Sequence, residues 1–469
     1  MKSLLLAIFC SIACAQTLPP FADSITAASL RGIVSFLASD ALQGRDTPSP
    51  GLDAAAAYIA SEFRADGLES PTGTDYAQSA DFNEVSGSAE SLLFSISGAG
   101  EPPRTVPPGR ITAQSLEGAH LVNEPVFKWA PNVKVEGSLK GKILILRAPS
   151  DPATIANLEL SHPDGIVELS RDPPAAGWRK ELQPAGTHGS GVAIIELPAS
   201  DVESIFDRLP NGYTNGKATL NIGAPTKRVV RLQNMIGILR GSDPRLRDQY
   251  ILVTAHYDHL GASDAGIFTG ANDNASGTAA VLALANALAK QVPHPKRTLL
   301  FVTFFGEEKG LLGSTWFARH PPVPLPRIVA DINFEQLGDV DVNNDVPPSA
   351  LGVTGYGLSD LPKLVAPALA SAGVELKDTS GNLNYFGRSD NFPFAQAGIP
   401  SHTFVAAYDF PDYHRVTDNW QKLNYENMAR ITRALAVAIG TLADSPEVPH
   451  WIESPQTKSY LEAWRTLHH

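Results

Sequence analysis

The chain has 469 residues, of which 18% are charged and 43% are hydrophobic, a balance typical of folded globular proteins rather than disordered ones. Its net charge of −12 argues against a nucleic-acid partner that is bound by neutralising phosphates. The length exceeds that of one ordinary domain, so we expect two or three domains with a sizeable core.

The N-terminus has the three parts of a secretory signal peptide. Lys2 supplies the positive charge, residues 4–9 form a short apolar run, and Ala13-Cys14-Ala15 provides a cleavage site of small residues. The run is too short to span a bilayer. We therefore predict that residues 1–15 are removed and that the protein is exported, to a periplasm or out of the cell. A lipid anchor on Cys14 is the weaker alternative.

Both cysteines, Cys10 and Cys14, lie within this segment, so we predict that the mature chain has no disulfide. An exported protein without disulfides must depend on its core or on bound metal for stability. No later stretch holds about 18 consecutive apolar residues, so no transmembrane helix is expected.

The first half of the chain combines two helices with a less regular, β-rich block. Apolar periodicity predicts helices at 26–38 and 52–66. The sequence then gains proline, glycine and serine, and short strands are predicted at 142–147 and 191–197. We interpret residues 115–225 as a small β-rich domain inserted into a larger one.

After residue 228, apolar runs of strand length alternate with helical periodicity. This alternation predicts an α/β fold with a layered sheet, in which functional groups gather at the carboxyl ends of strands. The predicted strands are 229–239, 250–255, 298–305, 327–334 and 399–405. The predicted helices are 277–290, 310–319, 361–372 and 424–442. Residues 446–469 are interpreted as a C-terminal tail.

Imidazole and carboxylate groups follow several of these strands. They are, in chain order, His256, Asp258, Asp273, Glu307, Glu308, Glu335, Asp412 and His414. Each alone has an ordinary structural explanation, such as a surface histidine, a solvated turn or the N-cap of a helix. Their convergence at strand ends instead indicates a metal site, because imidazole and carboxylate ligands without cysteine suit an open catalytic zinc site.

If the two histidines and three of these acidic residues are ligands, the site has five protein ligands. That is too many for one catalytic zinc, which takes three. Five ligands match two ions that share one bridging carboxylate. The adjacent pair Glu307-Glu308 then has a chemical reason, because one carboxylate can bind metal while its neighbour stays free as a general base. We therefore expect two Zn²⁺ ions per chain.

Several ordered motifs carry a closer resemblance. They are His256-Tyr257-Asp258, Gly306-Glu307-Glu308, Asp412-Tyr413-His414, the segments 270–277, 333–338 and 389–400, and, far upstream, Leu42-Gln43-Gly44-Arg45. Together they closely resemble the blocks of the di-zinc aminopeptidase and glutamate carboxypeptidase family of metallopeptidases. That family also includes the glutaminyl cyclases and the transferrin receptor ectodomain.

The resemblance implies a ligand role for each matching residue. His256 and Glu335 would hold the first zinc, and Glu308 and His414 would hold the second. Asp273 would bridge the two ions. Glu335 stands where the family usually has Asp, and its extra methylene lengthens its reach. We therefore expect the first site to be distorted or weaker.

The resemblance also implies roles around the ions. Glu307 would be the general base and Tyr413 would stabilise the oxyanion. Asp258 would orient His256 through its other ring nitrogen, and Asp390 would lie behind the ligands. His259 and His402 are interpreted as structural. Asp331, on the same strand as Glu335, is considered as an alternative ligand, and Glu335 is preferred because it matches the family's segment.

The fold that the resemblance implies is a three-layer αβα zinc-exopeptidase domain with a central mixed sheet, formed by 16–114 and 226–445. The inserted block, 115–225, resembles a protease-associated domain through its segments 137–146 and 189–197. Such a domain is expected to form a lid or wall of the substrate cleft.

The activity that the resemblance implies is that of an aminopeptidase, which removes N-terminal residues from peptides with a zinc-activated water. A glutamate-carboxypeptidase-like enzyme is the alternative, and it would need a cation such as Arg388 for the substrate carboxylate. A glutaminyl cyclase is disfavoured, because those relatives bind a single zinc and lack a large insertion. A receptor-like ectodomain without catalysis is the rival from another class, although every ligand position here holds a competent donor. The side-chain preference and the oligomeric state are left open.

Overall fold

The computed structural model describes residues 18–115, 117–148, 152–171, 176–186, 192–343, 345–378 and 382–468. The predicted signal peptide, with Cys10 and Cys14, lies outside the described residues. The chain divides into two compact units, one formed by Ala80–Arg231 and the other by Met1–Ser79 with Leu232–His469. No helix of the described residues combines the length and the apolar character that crossing a membrane requires.

The helices are α1 (Ala27–Leu37), α2 (Pro50–Ala65), α3 (Pro152–Glu159), α4 (Glu203–Phe206), α5 (Ser276–Ala289), α6 (Leu312–Arg319), α7 (Leu361–Ser371), α8 (Asn382–Tyr385), α9 (Asn391–Gln396), α10 (Tyr425–Asp444) and α11 (Lys458–His468). The strands are β1 (Ala77–Ser86), β2 (Leu93–Ser97), β3 (Arg104–Val106), β4 (Thr112–Gln114), β5 (Ala119–Lys128), β6 (Ile143–Arg147), β7 (Gly165–Ser170), β8 (Gly177–Trp178), β9 (Glu181–Pro184), β10 (Ala193–Pro198), β11 (Gly212–Ile222), β12 (Thr226–Leu239), β13 (Tyr250–His256), β14 (Gly261–Ser263), β15 (Gly266–Phe268), β16 (Thr298–Phe304), β17 (Ile328–Glu335), β18 (Ala350–Val353), β19 (Glu375–Lys377) and β20 (Ser401–Val405).

The larger unit is built on a mixed sheet whose strands follow the order β19-β18-β20-β17-β13-β16-β12. β13 pairs in parallel with both β16 and β17, and β17 pairs in parallel with β20. β12 is antiparallel to β16, and β18 is antiparallel to β20. This arrangement confirms the α/β fold class with a central mixed sheet.

Apolar side chains on both faces of this sheet are buried, which explains why its strands read as continuous apolar runs. Leu252 and Leu300 pack with Phe317 of α6. Val253 and Phe301 alternate to the opposite face and are also fully buried. α5 packs against β13, β16 and β17, with α1 and α10 beside it. Helices therefore cover the sheet in the three-layer arrangement that the resemblance implied.

The strands and helices predicted after residue 228 are confirmed, with ends that agree within three residues. The short strands β18 and β19 and the short helix α9 were missed. Residues 446–469, interpreted as a tail, contain α11 and a buried Trp451 that packs with Phe386 and Ala395.

The smaller unit contains a second sheet, with the strand order β3-β2-β11-β5-β6-β7-β10-β4-β8. Ile143 and Ile145 of β6 belong to one apolar cluster, whereas Leu144 and Leu146 belong to another. Both faces of this sheet are therefore buried. The unit is β-rich, which is consistent with a protease-associated-like insert. It extends from residue 80 to residue 231, beyond the 115–225 range predicted for the inserted domain.

Candidate metal centre

The predicted ligands lie at the carboxyl end of the central strands. His256 is the last residue of β13, and Glu335 is the last residue of β17. Glu307 and Glu308 follow β16, and Asp273 lies in the turn that precedes α5. Because β13, β16 and β17 are parallel neighbours, their carboxyl ends meet at one edge of the sheet.

One group of candidate ligands consists of His256, Glu307 and Glu335, whose ligand atoms all lie within 4.8 Å of one another. Nε2 of His256 is 3.8 Å from Oε1 of Glu335. The same nitrogen is 3.4 Å from Oδ1 of Asp273. The residues predicted for the first ion are therefore brought together.

The second group consists of His259, Asp273 and Glu308, again within 4.8 Å. Nδ1 of His259 is 2.7 Å from Oε1 of Glu308. Nε2 of His414 lies 3.2 Å from Oδ2 of Asp273 and 3.3 Å from Oε2 of Glu308. One oxygen of Asp273 thus faces His256 and the other faces His414, which is the arrangement that a bridging carboxylate needs.

The protonation of this cluster shows how strongly its charges interact. Burial raises the pKa of Asp273, but hydrogen bonds from His256 and His414 lower it well below its ordinary value. Burial lowers the pKa of His414, but hydrogen bonds to Asp273 and Glu308 raise it to about 10. Positive charge is therefore strongly favoured between these carboxylates.

The pKa values of Glu307 and Glu335 are raised instead, first by burial and then by the neighbouring carboxylates. Burial raises the pKa of Glu307 well above its ordinary value; His256 lowers it, and Glu335 and Glu308 raise it further. Burial also raises the pKa of Glu335 to about 7, against the lowering effect of His256. A buried set of carboxylates with imidazoles and no thiol fits divalent zinc ions, which would neutralise this crowding.

Asp258 and Tyr413, for which the resemblance implies supporting roles, both contact candidate ligands. Oδ1 of Asp258 accepts a hydrogen bond of 3.0 Å from the backbone amide of Glu307. Nδ1 of His256 faces the carbonyl oxygen of Asp258 at 3.2 Å and its Oδ1 at 3.6 Å. The ring of Tyr413 stacks on His414, with centroids 3.9 Å apart. Burial and nearby carboxylates raise the pKa of Tyr413, so its phenol keeps the proton that it would donate.

The remaining residues considered in the sequence lie in the interior. Asp390 directly precedes α9, is fully buried, and has a pKa that burial raises to about 7. Asp331 accepts hydrogen bonds from Thr254 and Ser401 and does not reach the metal-binding edge. His402 is buried, consistent with its structural interpretation.

Sequence reasoning assigned no role to three residues that support the site. Arg45, the last residue of the Leu42-Gln43-Gly44-Arg45 motif, donates hydrogen bonds to the carbonyl groups of Tyr257, Thr269 and Gly270. The Asp418 carboxylate accepts hydrogen bonds from the backbone amides of Asn272 and Asp273. Ser389 donates a hydrogen bond to Glu335. The sequence signal for Ser389 was its place beside Asp390 in a matching segment.

A pocket opens beside the first group of ligands. Besides His256, Glu307, Glu335 and Tyr413, its lining residues include Thr354, Tyr385, Arg388, Val405, Tyr408 and Asp409. The guanidinium of Arg388 lies over the ring of Tyr385, 5.2 Å from its centroid. The pocket therefore presents charges of both signs near the candidate metal centre.

Comparisons with known proteins agree with this geometry. Residues 234–439 match the sequence profile of peptidase family M28. The chain is similar to aminopeptidase YwaD of Bacillus subtilis (strain 168), with 28% identity over 271 residues that cover 56% of this chain and 54% of the relative. It thus spans about half the length of that curated relative. A probable zinc metalloprotease of Pyrenophora teres f. teres (strain 0-1) is 30% identical over 311 residues, which cover 61% of this chain and 66% of that protein.

A solved structure extends the likeness to nearly the whole chain. An aminopeptidase from Aneurinibacillus sp. strain AM-1 gives a TM-score of 0.63 at 19% identity, covering 93% of this chain and 97% of that one. At this identity the likeness establishes the fold alone. The fold that the motifs implied is thereby confirmed, and the profile match of residues 234–439 agrees with the family that they indicated.

Proposed function

Because residues 234–439 match peptidase family M28, we propose that the chain is an exported aminopeptidase that uses two zinc ions to hydrolyse N-terminal peptide bonds. The observation that carries the proposal is the position of Asp273 between His256 on one side and His414 on the other. Glu307 lies in the same cluster as His256 and Glu335, and this closeness supports its proposed role as the general base beside the ligands. The aminopeptidase among the similar curated proteins supports the choice of activity.

The roles of the residues follow from their surroundings. Zinc ions held by these groups would make water more acidic and polarise the scissile carbonyl. Glu307 would accept the proton of the attacking water and pass it to the leaving amine. The protonated Tyr413 donates a hydrogen bond to the carbonyl oxygen as negative charge develops there.

A test of this division of labour compares Glu307→Gln with Glu308→Gln. Glutamine at 307 can still hydrogen-bond to water but cannot accept a proton, so turnover should fall by about 10²–10⁴-fold with zinc content nearly unchanged. Glutamine at 308 is a poor zinc ligand, so zinc should be lost as well. Zinc is measured by elemental analysis after mild dialysis. Equal loss of zinc in both variants, or near-normal turnover of Glu307→Gln, would contradict the assignment.

A carboxypeptidase is the second candidate, because Arg388 lines the pocket and could bind a substrate carboxylate. Peptides with a free amino terminus and peptides with a blocked one distinguish the two activities. For an aminopeptidase, cleavage requires the free amine and Arg388→Gln leaves KM nearly unchanged. Cleavage of amino-blocked peptides, with a KM that rises in Arg388→Gln, would favour the carboxypeptidase. Absence of any cleavage by the zinc-loaded protein would favour a receptor-like ectodomain.

Export is proposed on the signal-peptide pattern of residues 1–15. Mass spectrometry of protein from an exporting host should show a chain that starts at or near Gln16. A mature mass that retains residues 1–15 would contradict export by this signal. A lipid adduct on Cys14 would favour the lipoprotein alternative.

A further inference from the structure

Glu335 is held by a hydrogen bond whose donor is itself fixed in the interior. Oγ of Ser389 donates to Oε1 of Glu335. Nδ2 of Asn333 donates to the same Ser389 oxygen at 2.7 Å. Because this oxygen already accepts from Asn333, the single hydroxyl hydrogen is left to point at Glu335. Ser389 is 3% exposed and Asn333 is fully buried, so solvent does not compete for either bond.

Asn333 is fixed by the neighbouring strands on both sides. In the sheet register it lies directly opposite Thr254 of β13 and Thr403 of β20. Its Nδ2 donates to Oγ1 of Thr403 at 2.9 Å, and its Oδ1 lies 3.0 Å from Oγ1 of Thr254. Three strands thus determine the orientation of the amide that positions Ser389.

Asn333 lies on the same face of β17 as Glu335. Asn333 and Glu335 are two residues apart, so their side chains project from the same face of the strand. Glu335 is the residue that departs from the Asp usual in this position. Its extra methylene adds a rotatable bond, and an unrestrained carboxylate on a longer side chain loses more conformational freedom when it binds an ion.

We propose that Ser389 is a positioning residue that fixes the carboxylate of Glu335 for the first metal ion and thereby adapts the site to glutamate. The inference rests on the proposed di-zinc function. It offers an alternative to the expectation that the extra methylene weakens the first site, because the hydrogen bond from Ser389 would restrict the added freedom of the side chain. Loss of such an outer hydrogen bond typically weakens metal binding by about 10–100-fold.

The test is a calorimetric zinc titration of the full-length apoprotein, prepared with a chelator that is then removed. Glu335→Gln and His414→Ala identify which binding step belongs to the first and to the second ion. Ser389→Ala is expected to raise the Kd of the first ion by about 10–100-fold and to leave that of the second nearly unchanged. Ser389→Thr keeps the hydroxyl and should restore much of the affinity.

Ser401→Ala is the matched control. Ser401 is another buried serine whose hydroxyl donates to a buried carboxylate, but that carboxylate belongs to Asp331. Its removal should leave both zinc affinities unchanged. A double variant distinguishes a positioning role from a merely structural one. If Ser389 acts through Glu335, Ser389→Ala should cause no further loss of zinc affinity in the Glu335→Gln background.

The zinc titrations distinguish failure of the positioning role of Ser389 from failure of the di-zinc function on which it rests. A wild-type protein that binds fewer than two zinc ions overturns the proposed di-zinc function. Two bound ions in the wild type, with an unchanged first Kd in Ser389→Ala, overturn the positioning role alone. Equal losses in Ser389→Ala and Ser401→Ala, or additive losses with Glu335→Gln, would show general destabilisation and also overturn it.

Discussion

Replacing Arg45 with methionine should cost the protein both stability and metal retention. Arg45 is 1% exposed, and its guanidinium donates to the backbone carbonyl groups of Leu37, Tyr257, Thr269 and Gly270. Three of these carbonyl groups belong to the loops that carry the metal-binding residues. Methionine retains an unbranched side chain but supplies no donor, so the carbonyl groups of Leu37, Tyr257 and Thr269 would lose their donor in a buried place. The carbonyl group of Gly270 would keep its hydrogen bond from the backbone amide of Ala275.

The expected loss of stability is the difference between two contributions, the cost of unpaired carbonyl groups and the gain from removing a buried charge. A buried carbonyl group without a donor costs about 2 kcal/mol, so the three acceptors that depend on Arg45 lose about 6 kcal/mol together. Burial lowers the pKa of Arg45 from 12.5 to about 10, although carboxylates such as Asp258 raise it. Removing the buried charge therefore recovers about 3.5 kcal/mol at 1.4 kcal/mol per pKa unit. The free energy of unfolding should fall by about 2.5 kcal/mol.

Arg297 provides the control, because it is also 1% exposed and donates to backbone carbonyl groups, those of Leu442 and Ser445. It lies beside the first residue of β16, whereas the candidate metal centre lies at the other end of that strand. Urea unfolding should show a large loss for both Arg45→Met and Arg297→Met, but only Arg45→Met should release zinc more readily to a chelator. A loss below about 1 kcal/mol, or equal zinc retention in the two variants, would refute the reasoning.

Two further predictions concern a glycine and a histidine. Gly270 has a φ of +56°, and an added Cβ would lie 2.4 Å from Cγ of His259, so Gly270→Ala should displace that ring and reduce zinc retention in a chelator challenge. Gly67→Ala, with a φ of +73° and no neighbour within 4 Å, should lose only about 1 kcal/mol and keep its zinc. Burial lowers the pKa of His402 from 6.5 to about 4, so its neutral form stabilises the fold above pH 6.5, and this stability is lost as the pH falls toward 4. The loss is up to about 3 kcal/mol in urea unfolding, and His402→Gln should abolish it; an unchanged pH slope in that variant would contradict the prediction.

The sequence predicts the central sheet well because its strands are buried on both faces. Strands such as β13 and β16 consist of residues that are nearly all buried, so they appear as apolar runs bounded by polar turns. β18 and β19 have only four and three residues, too few for a periodic signal. The C-terminal segment was missed for a different reason. Its burial depends on the long-range contact of Trp451 with Phe386, which no local pattern records.

The candidate ligands could be predicted from strand ends, but their mutual orientation could not. Which histidine faces Glu308 depends on the path of the loop after β13, and the structure brings both His259 and His414 to it. The hydrogen bonds that fix Glu335 depend on the pairing of Asn333 with residues more than 60 positions away in the chain. Periodicity predicts that a strand exists but does not define such a register.

Position along β17 determines which of its two acidic residues, Asp331 or Glu335, can bind a metal ion. The two residues are four positions apart on β17, so alternation places both on the same face. A rise of about 3.3 Å per residue separates their Cα atoms by about 13 Å, and only the residue at the carboxyl end can reach ions beside His256. Asp331 instead meets the hydroxyl groups of Thr254 and Ser401, and burial raises its pKa to about 7. The same type of side chain is thus a buried structural acid at one end of the strand and a candidate metal ligand at the other.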